Sequence, residues 1–369
     1  NDMVLNATAS GIVLQSLTVG GNLSVTAAGP ITDSGALNIA GSTTLAAGSA
    51  SDITLDAAND FGGAVLITTA SDVVLNDTGA IELGVSTISG NLAITANGAI
   101  TNSGNVTTGG LSLNTSTGGI TLAMTAATVS AGAPGDISLS QTGNQAVDFT
   151  SINSTAGNIA LSTDGTTVGQ GMTIGTLAAS SGAGGVTVSG GAEYLLTSNV
   201  AYTQSTIDAA TLNLSGATLL GSIAPGYNPP NGQTYDIIDT VAATTPFANA
   251  ASDIIFDNVR FTVDYSGNVT LTADRPTEVY VDDLWAGSTP GQTVTSGAVT
   301  AVFGYDAFAT IATSLPGVAI DGTVNVIAGL YNESVTVSQN VTIQGIQPDA
   351  DPTAMGSVAG AATLDGTGL

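Results

Sequence analysis

The side chains of this chain that could do chemistry are almost all carboxylates. Asp52, Asp56 and Asp60 follow one another at intervals of four, and Asp282-Asp283 form a doublet. Carboxylates gathered in this way are hard oxygen ligands, so both sets are candidate calcium sites, and calcium is the one cofactor the sequence offers. No Gly-Gly-x-Gly-x-Asp nonapeptide or EF-hand loop accompanies them, and aspartate in a glycine-rich chain commonly serves as a turn residue. Acid–base catalysis would need a partner for the carboxylate, or a cation beside the developing charge. The chain has 28 acidic residues against two cations, Arg260 and Arg275, and it has no lysine, histidine or cysteine. Beyond Arg275 the scattered Asp282, Asp283, Asp306, Asp321, Asp349, Asp351 and Asp365 have no such partner. The expectation is a protein that is not an enzyme.

The same imbalance excludes other classes. The net charge of −26 comes mainly from missing cations, since charged residues make up only 8% of the chain. Phosphate neutralisation requires lysine and arginine, so no nucleic-acid partner is expected. Anionic membrane surfaces are disfavoured for the same reason. No apolar run approaches the roughly 20 residues of a membrane span, so direct insertion is not expected. Without cysteine there is no disulfide framework. No signal peptide opens the chain at Asn1-Asp2-Met3, which reads as a processed or excised part of a longer precursor. The Asn-x-Ser/Thr sequons at Asn22, Asn76, Asn213 and Asn340 matter only if a glycosylating system handles the protein. Trp285, the sole tryptophan, reads as a packing residue.

The elements that must position these groups come from a repeat. Gly21-Asn22-Leu23-Ser24-Val25-Thr26-Ala27 recurs as Gly90-Asn91-Leu92-Ala93-Ile94-Thr95-Ala96, and the likeness continues to Gly35 and Gly104. A third copy, Gly157-Asn158-Ile159, follows at nearly the same interval. Between the copies, apolar-polar-apolar triplets recur, as at Leu23/Val25, Leu37/Ile39, Ile53/Leu55, Val65/Ile67 and Val73/Leu75. These are period-two signals of short strands buried on one face. Fixed-period self-similarity points to a solenoid. The pattern predicts an all-β fold, a parallel β-helix of right-handed sense, with three short strands to a turn. A unit of about 67 residues would then hold about three turns of roughly 22 residues. Corner Asn and Thr would form ladders along the rod. A sandwich or barrel is the alternative for short, evenly spaced strands.

On those residues the run from Gly21 to Leu55 resembles the repeats of filamentous-haemagglutinin-type adhesins and related secreted bacterial surface proteins. The resemblance covers residues 1–200, a β-helix repeat domain, and it implies a scaffold. From Tyr202 the texture changes, through Gly226-Tyr227-Asn228-Pro229-Pro230 and Val259-Arg260-Phe261. Residues 201–275 resemble the strand-rich closing segment of autotransporter-like passengers, a β-rich cap over an open solenoid end; an independent binding domain is the alternative. A connector occupies 276–292. In residues 293–369, Phe308, Ile311 and Leu315 place a short amphipathic helix over Asp306 to Ser314, ended by Pro316. With Gly322–Val337 and Val341–Gly345, this resembles the start of a second, pectin-lyase-like β-helix with its capping helix.

The function expected from these readings is structural and non-enzymatic: an extracellular or cell-surface fibre, sheath or array. Self is the expected partner, by end-to-end strand addition that responds to salt or divalent cations. The alternative is a rod segment of a large adhesin that binds cell-surface glycans. Trypsin would find only Arg260 and Arg275, and Arg275 precedes a proline.

Overall fold

The computed structural model describes residues 1–179, 182–346 and the short strand Thr363–Leu364. The fold is all-β, repeat-based and rich in parallel strands; among the described residues the one α-helix is Ile311–Ser314. Asp349, Asp351 and Asp365 lie outside the described residues.

Three ladders of parallel pairing organise the chain. The first joins Met3–Ala7, Leu23–Ala27, Thr43–Ala46 and Val65–Thr69, with Leu23 in register on Met3, Thr43 on Leu23 and Val65 on Thr43. The second stacks Ile12, Ile31, Ile53, Val73, Leu92, Leu111, Val129, Phe149 and Ile174. The third begins with Leu17, Leu37 and the Ile39–Phe61 pair and passes through Asn59 and Asp77. It then stacks Ile81, Ile100, Ile120, Ile137, Ile159, Val186 and Leu212.

The register refines the expected division of each repeat unit into about three turns of roughly 22 residues. Along the second ladder successive partners lie roughly 20 residues apart in the chain. The shortest step runs from Leu111 to Val129 and the longest from Phe149 to Ile174. The offset from Gly21 to Gly90 is therefore a little more than three steps, and each copy is carried on to the next ladder. Leu23 stands in the first ladder, Leu92 in the second and Ile159 in the third. The sequence period and the pairing period differ because three kinds of strand share one local pattern, apolar in and polar out, and can exchange places.

The inward residues fill a continuous core that runs from Leu14 to Ala273. Ile31, Ile53, Leu55, Val65, Ile67, Leu83, Leu92 and Ile100 are fully buried, and the residue between each pair of apolar neighbours mostly faces out. Each such aliphatic side chain contributes about 1.5–3 kcal/mol by leaving water. A buried polar side chain is built into this stack. Asn59 accepts from the Leu37 N–H through Oδ1 at 2.8 Å, and its Nδ2 donates to Asp33 Oδ2 at 2.8 Å and to the Leu55 carbonyl at 3.1 Å. Asn59→Ala is expected to lower stability by about 1–3 kcal/mol, because the Leu37 N–H is left buried and unpaired. Urea unfolding followed by circular dichroism measures this; an unchanged midpoint would contradict it.

Parallel pairing continues through the change of composition near residue 201. Ser205–Asp208 pairs with Met172–Ala179, and Ala243–Thr245 pairs with Thr211–Ile223. Apart from an isolated antiparallel bridge between Leu196 and Tyr202, antiparallel pairing begins with Asp253–Phe256, Val259–Asp264 and Val269–Asp274. Thr234–Thr240 belongs to both regimes, parallel to Ser205–Asp208 and antiparallel to Val269–Asp274. Here aromatic rings replace stacked aliphatics: Tyr235 meets Tyr202 edge-on at 5.4 Å and Phe261 at 6.2 Å.

A second core begins at Val279. Glu278–Val281, Gly322–Ile327 and Val341–Ile346 form parallel pairs, and Thr293–Ser296 with Val299–Val302 makes a hairpin. The helix expected over Asp306 to Ser314 is shorter than its apolar spacing suggested. Ala307–Phe308 is a strand paired with Tyr280 and Val281, and helix starts only at Ile311. Thr310 sets that start: its backbone is extended, and its Oγ1 accepts from the Thr313 N–H at 3.2 Å.

Candidate functional site

The side chains with chemical potential sit at the corners ahead of the ladder strands, and most of them hold main-chain N–H groups of a neighbouring step. Ahead of the first ladder, Asp2 Oδ1 accepts from the Asn22 N–H at 2.8 Å, and Asn22 Oδ1 accepts from the Ser42 N–H at 2.8 Å. Ahead of the second, Asp52 Oδ1 accepts from the Asp72 N–H at 3.1 Å, and Asp72 Oδ1 accepts from the Asn91 N–H at 2.7 Å. Ahead of the third, Asp136 Oδ1 accepts from the Asn158 N–H at 2.8 Å, and Asn158 Oδ1 accepts from the Gly185 N–H at 2.8 Å. In each of the three ladders the Asn N–H of the Gly-Asn corner is thus held by an Asp of the preceding step, and Asn22 and Asn158 pass the relay on.

The glycine of each copy has a steric cause. A Cβ on Gly21 would stand 2.3 Å from Asp2 Oδ1, and one on Gly90 2.2 Å from Asp72 Oδ1. At Gly157 it would stand 2.4 Å from the Asp136 nitrogen. The preceding step, with the carboxylate that caps the next N–H, occupies the space a side chain would need. The Gly-Asn pair is a corner device, and the Asp in the preceding step is the third member that sequence reading missed.

The proposed calcium ligands are placed apart from any metal-binding cluster. Asp52 belongs to the corner relay described above. Asp56 is exposed, and its own N–H donates to Asp33 Oδ1 at 3.2 Å. Asp60 faces outward opposite Asn38. Asp282 is buried and caps the short turn Asp283–Trp285 by accepting from the Leu284 N–H at 3.0 Å. Asp283 Oδ2 accepts from the Leu330 N–H at 3.3 Å. Among the described residues no three carboxylates are grouped to hold a metal ion. The expected sets were near in sequence, but each member that accepts a hydrogen bond does so from a different main-chain donor. Asp306 is engaged likewise, accepting from the Val302 N–H at 2.6 Å.

Asp77 is a carboxylate driven into the core of the ladders. It accepts from the Phe61 N–H at 3.0 Å and from the Gly79 N–H at 2.5 Å. Burial nevertheless raises its pKa above the ordinary aspartate value, and these two N–H groups only partly offset the shift. The folded state therefore binds this proton more tightly than the unfolded chain does. Its contribution to stability is full below the unfolded pKa and is lost as pH rises through the folded one. Asp77→Asn is expected to narrow its stability difference from the parent as pH rises from about 3 towards about 7. Parallel urea titrations across that range read the slope; a difference independent of pH would refute it.

Two arginines complete the inventory. Arg260 pairs with Asp253 at 3.0 Å and Asp274 at 3.3 Å, and lies 4.7 Å over the Tyr305 ring. Arg275 is 2% exposed and has no carboxylate partner among the described residues; its guanidinium donates to the carbonyls of Pro229, Leu315 and Pro316. Its main-chain N–H donates to Asn231 Oδ1 at 2.8 Å, and its Nε has no hydrogen-bond partner among the described residues. Burial lowers its pKa to about 10, so it keeps its charge at neutral pH. It ties the residues around the antiparallel sheet to the second core. The sequence marked it only as a trypsin site.

Open clefts lie along the outer side of the second ladder. One of about 300 Å³ is lined by Asn76, Asp77, Thr78, Thr95, Ala96, Asn97, Asn114 and Ser116. Another of about 260 Å³ continues past Asn114 and Ser116 to Gly132, Pro134, Asn153 and Thr155.

A family model described as repeats of unknown function (DUF5649) matches residues 1–68 and 70–128. The two matched segments begin at residues 1 and 70, the same offset that separates the Gly21 and Gly90 corners. No curated protein and no solved structure matches the chain.

Proposed function

We propose that this chain is a non-enzymatic scaffold segment of an extracellular structural protein, with the three ladders as the faces of a parallel β-helical rod. One observation carries the reading: sustained parallel register in which the polar corner groups are engaged by a neighbouring step. Asp2, Asn22, Asp52, Asp72, Asp136 and Asn158 all accept from main-chain donors of the next step. Groups held in this way maintain a stack and are not poised for proton transfer. The resemblance of Gly21 to Leu55 to filamentous-haemagglutinin-type repeats supports the same assignment.

A rod of about ten steps at ~4.8 Å spacing has a length on the order of 50 Å before its ends are counted. Small-angle scattering of the purified chain is expected to give an elongated particle; a globular distance distribution would overturn the rod. Self-association end to end is the further part of this proposal. With −26 charges on each chain, its assembly should strengthen with salt, which screens the repulsion. Negative-stain imaging across salt and chelator reads this, and monodisperse single particles throughout would remove the self-assembly part.

A further inference from the structure

We infer that the cleft beside the second ladder is a binding site for an extended, neutral β-linked glycan. Its floor is a register column: Asn76, Thr95, Asn114, Gly132 and Asn153 stand on consecutive steps. Its wall is formed by Thr78, Asn97, Ser116 and Thr155, two residues further along the chain, just past the end of each strand. Neighbouring strands are ~4.8 Å apart, close to the rise of one pyranose unit in an extended β-linked chain. Each step can therefore face one sugar.

The chemistry of the lining selects the ligand class. Amides offer a donor and an acceptor side by side, which suits vicinal hydroxyls. Asn114 and Asn153 are exposed, and neither amide is hydrogen-bonded to any described residue. Gly132 between them leaves the floor open. No cation lines the clefts, and the chain carries −26 overall, so uronic or sulfated polymers are repelled. A peptide adding as a strand needs a free edge, whereas the strands of this column are paired on both sides. Asp77, the one carboxylate in the lining, is turned to the Phe61 and Gly79 N–H groups.

The test uses the whole chain with cellohexaose as probe, and with maltohexaose and hexagalacturonate as comparisons, read by saturation-transfer NMR and titration. Without an aromatic face in the cleft, affinity for cellohexaose is expected to be about millimolar. Gly132→Leu is the decisive variant. A Cβ there would meet only Asn114 Oδ1, at an ordinary 3.4 Å, so the strand accepts it while the cleft floor is filled. It should weaken cellohexaose binding about tenfold or more and leave the melting temperature unchanged or higher. Asn114→Ala with Asn153→Ala should weaken binding to a similar extent. Ala160→Leu, outward on the third ladder, should leave it unchanged. Absence of binding to cellohexaose, equal or better binding of the α-linked or acidic oligomer, or undiminished binding by the folded Gly132→Leu chain would each overturn the inference.

Discussion

Arg275→Ala is expected to lower stability by about 3–5 kcal/mol and to separate the unfolding of the two cores. The carbonyls of Pro229 and Pro316 would lose their donor, that of Leu315 would keep only Gln339 Nε2, and a cavity would open where a fully enclosed side chain stood. An orphaned acceptor in the interior costs about 1–3 kcal/mol, so even partial rehydration leaves a large deficit. The effect should also be directional. Pro229 lies ahead of the antiparallel strands, whereas Leu315 and Pro316 follow the helix of the second core, so one cation bridges both. Calorimetry of the parent should give coupled melting of the two regions, and the alanine chain should show an earlier transition for residues beyond 275. Arg275→Lys should recover little, because a point ammonium cannot reach carbonyls spread across the plane of a guanidinium. A single transition within about 1 kcal/mol of the parent would show that the joint does not depend on this residue.

Phe149→Ala is expected to cost about 3–5 kcal/mol, the range for removing a large ring from a packed core. Phe149 is fully buried on the second ladder between Val129 and Ile174. Both neighbours are smaller and are fixed by main-chain pairing on either side, so the stack has little freedom to collapse into the space. Thr187→Ala is the matched control, outward on the third ladder, and should change stability by no more than about 0.5 kcal/mol. Chemical denaturation of both variants checks the contrast. Comparable losses would mean that inside and outside are wrongly assigned.

Much of the strand pattern was legible in the residues alone. The triplets at Leu23/Val25, Ile53/Leu55 and Val73/Leu75 all became strands with both apolar residues inside. Period-two alternation is a local property, and each triplet carries its own instruction about which side faces the core. The helix near residue 311 was legible only in part, because Phe308 has helical spacing to Ile311 and Leu315 but is held in a strand by Val281. The candidate calcium sets were read from sequence alone, which does not show what each carboxylate engages. Nearness in sequence gathers carboxylates, whereas Asp52 and Asp72 are each engaged by an N–H one step away in the stack.

The sequence by itself determined that this chain is all-β, repeated and built from Gly-Asn corners, because alternation, turn chemistry and self-similarity are written within a few residues of each other. Only the tertiary structure decided which strand rests on which. The repeat that carries Gly21 to Gly90 is not a whole number of the pairing steps that carry Leu23 to Thr43 and Leu92 to Leu111. The three copies therefore stand in three different ladders. No local pattern holds that ratio, since it depends on how much chain each successive step takes to return to its neighbour. The same is true of Arg275, whose acceptors Pro229 and Leu315 stand far off in the chain on opposite sides of it. A cation and a carbonyl have no sequence signature for one another; only folding brings them within reach.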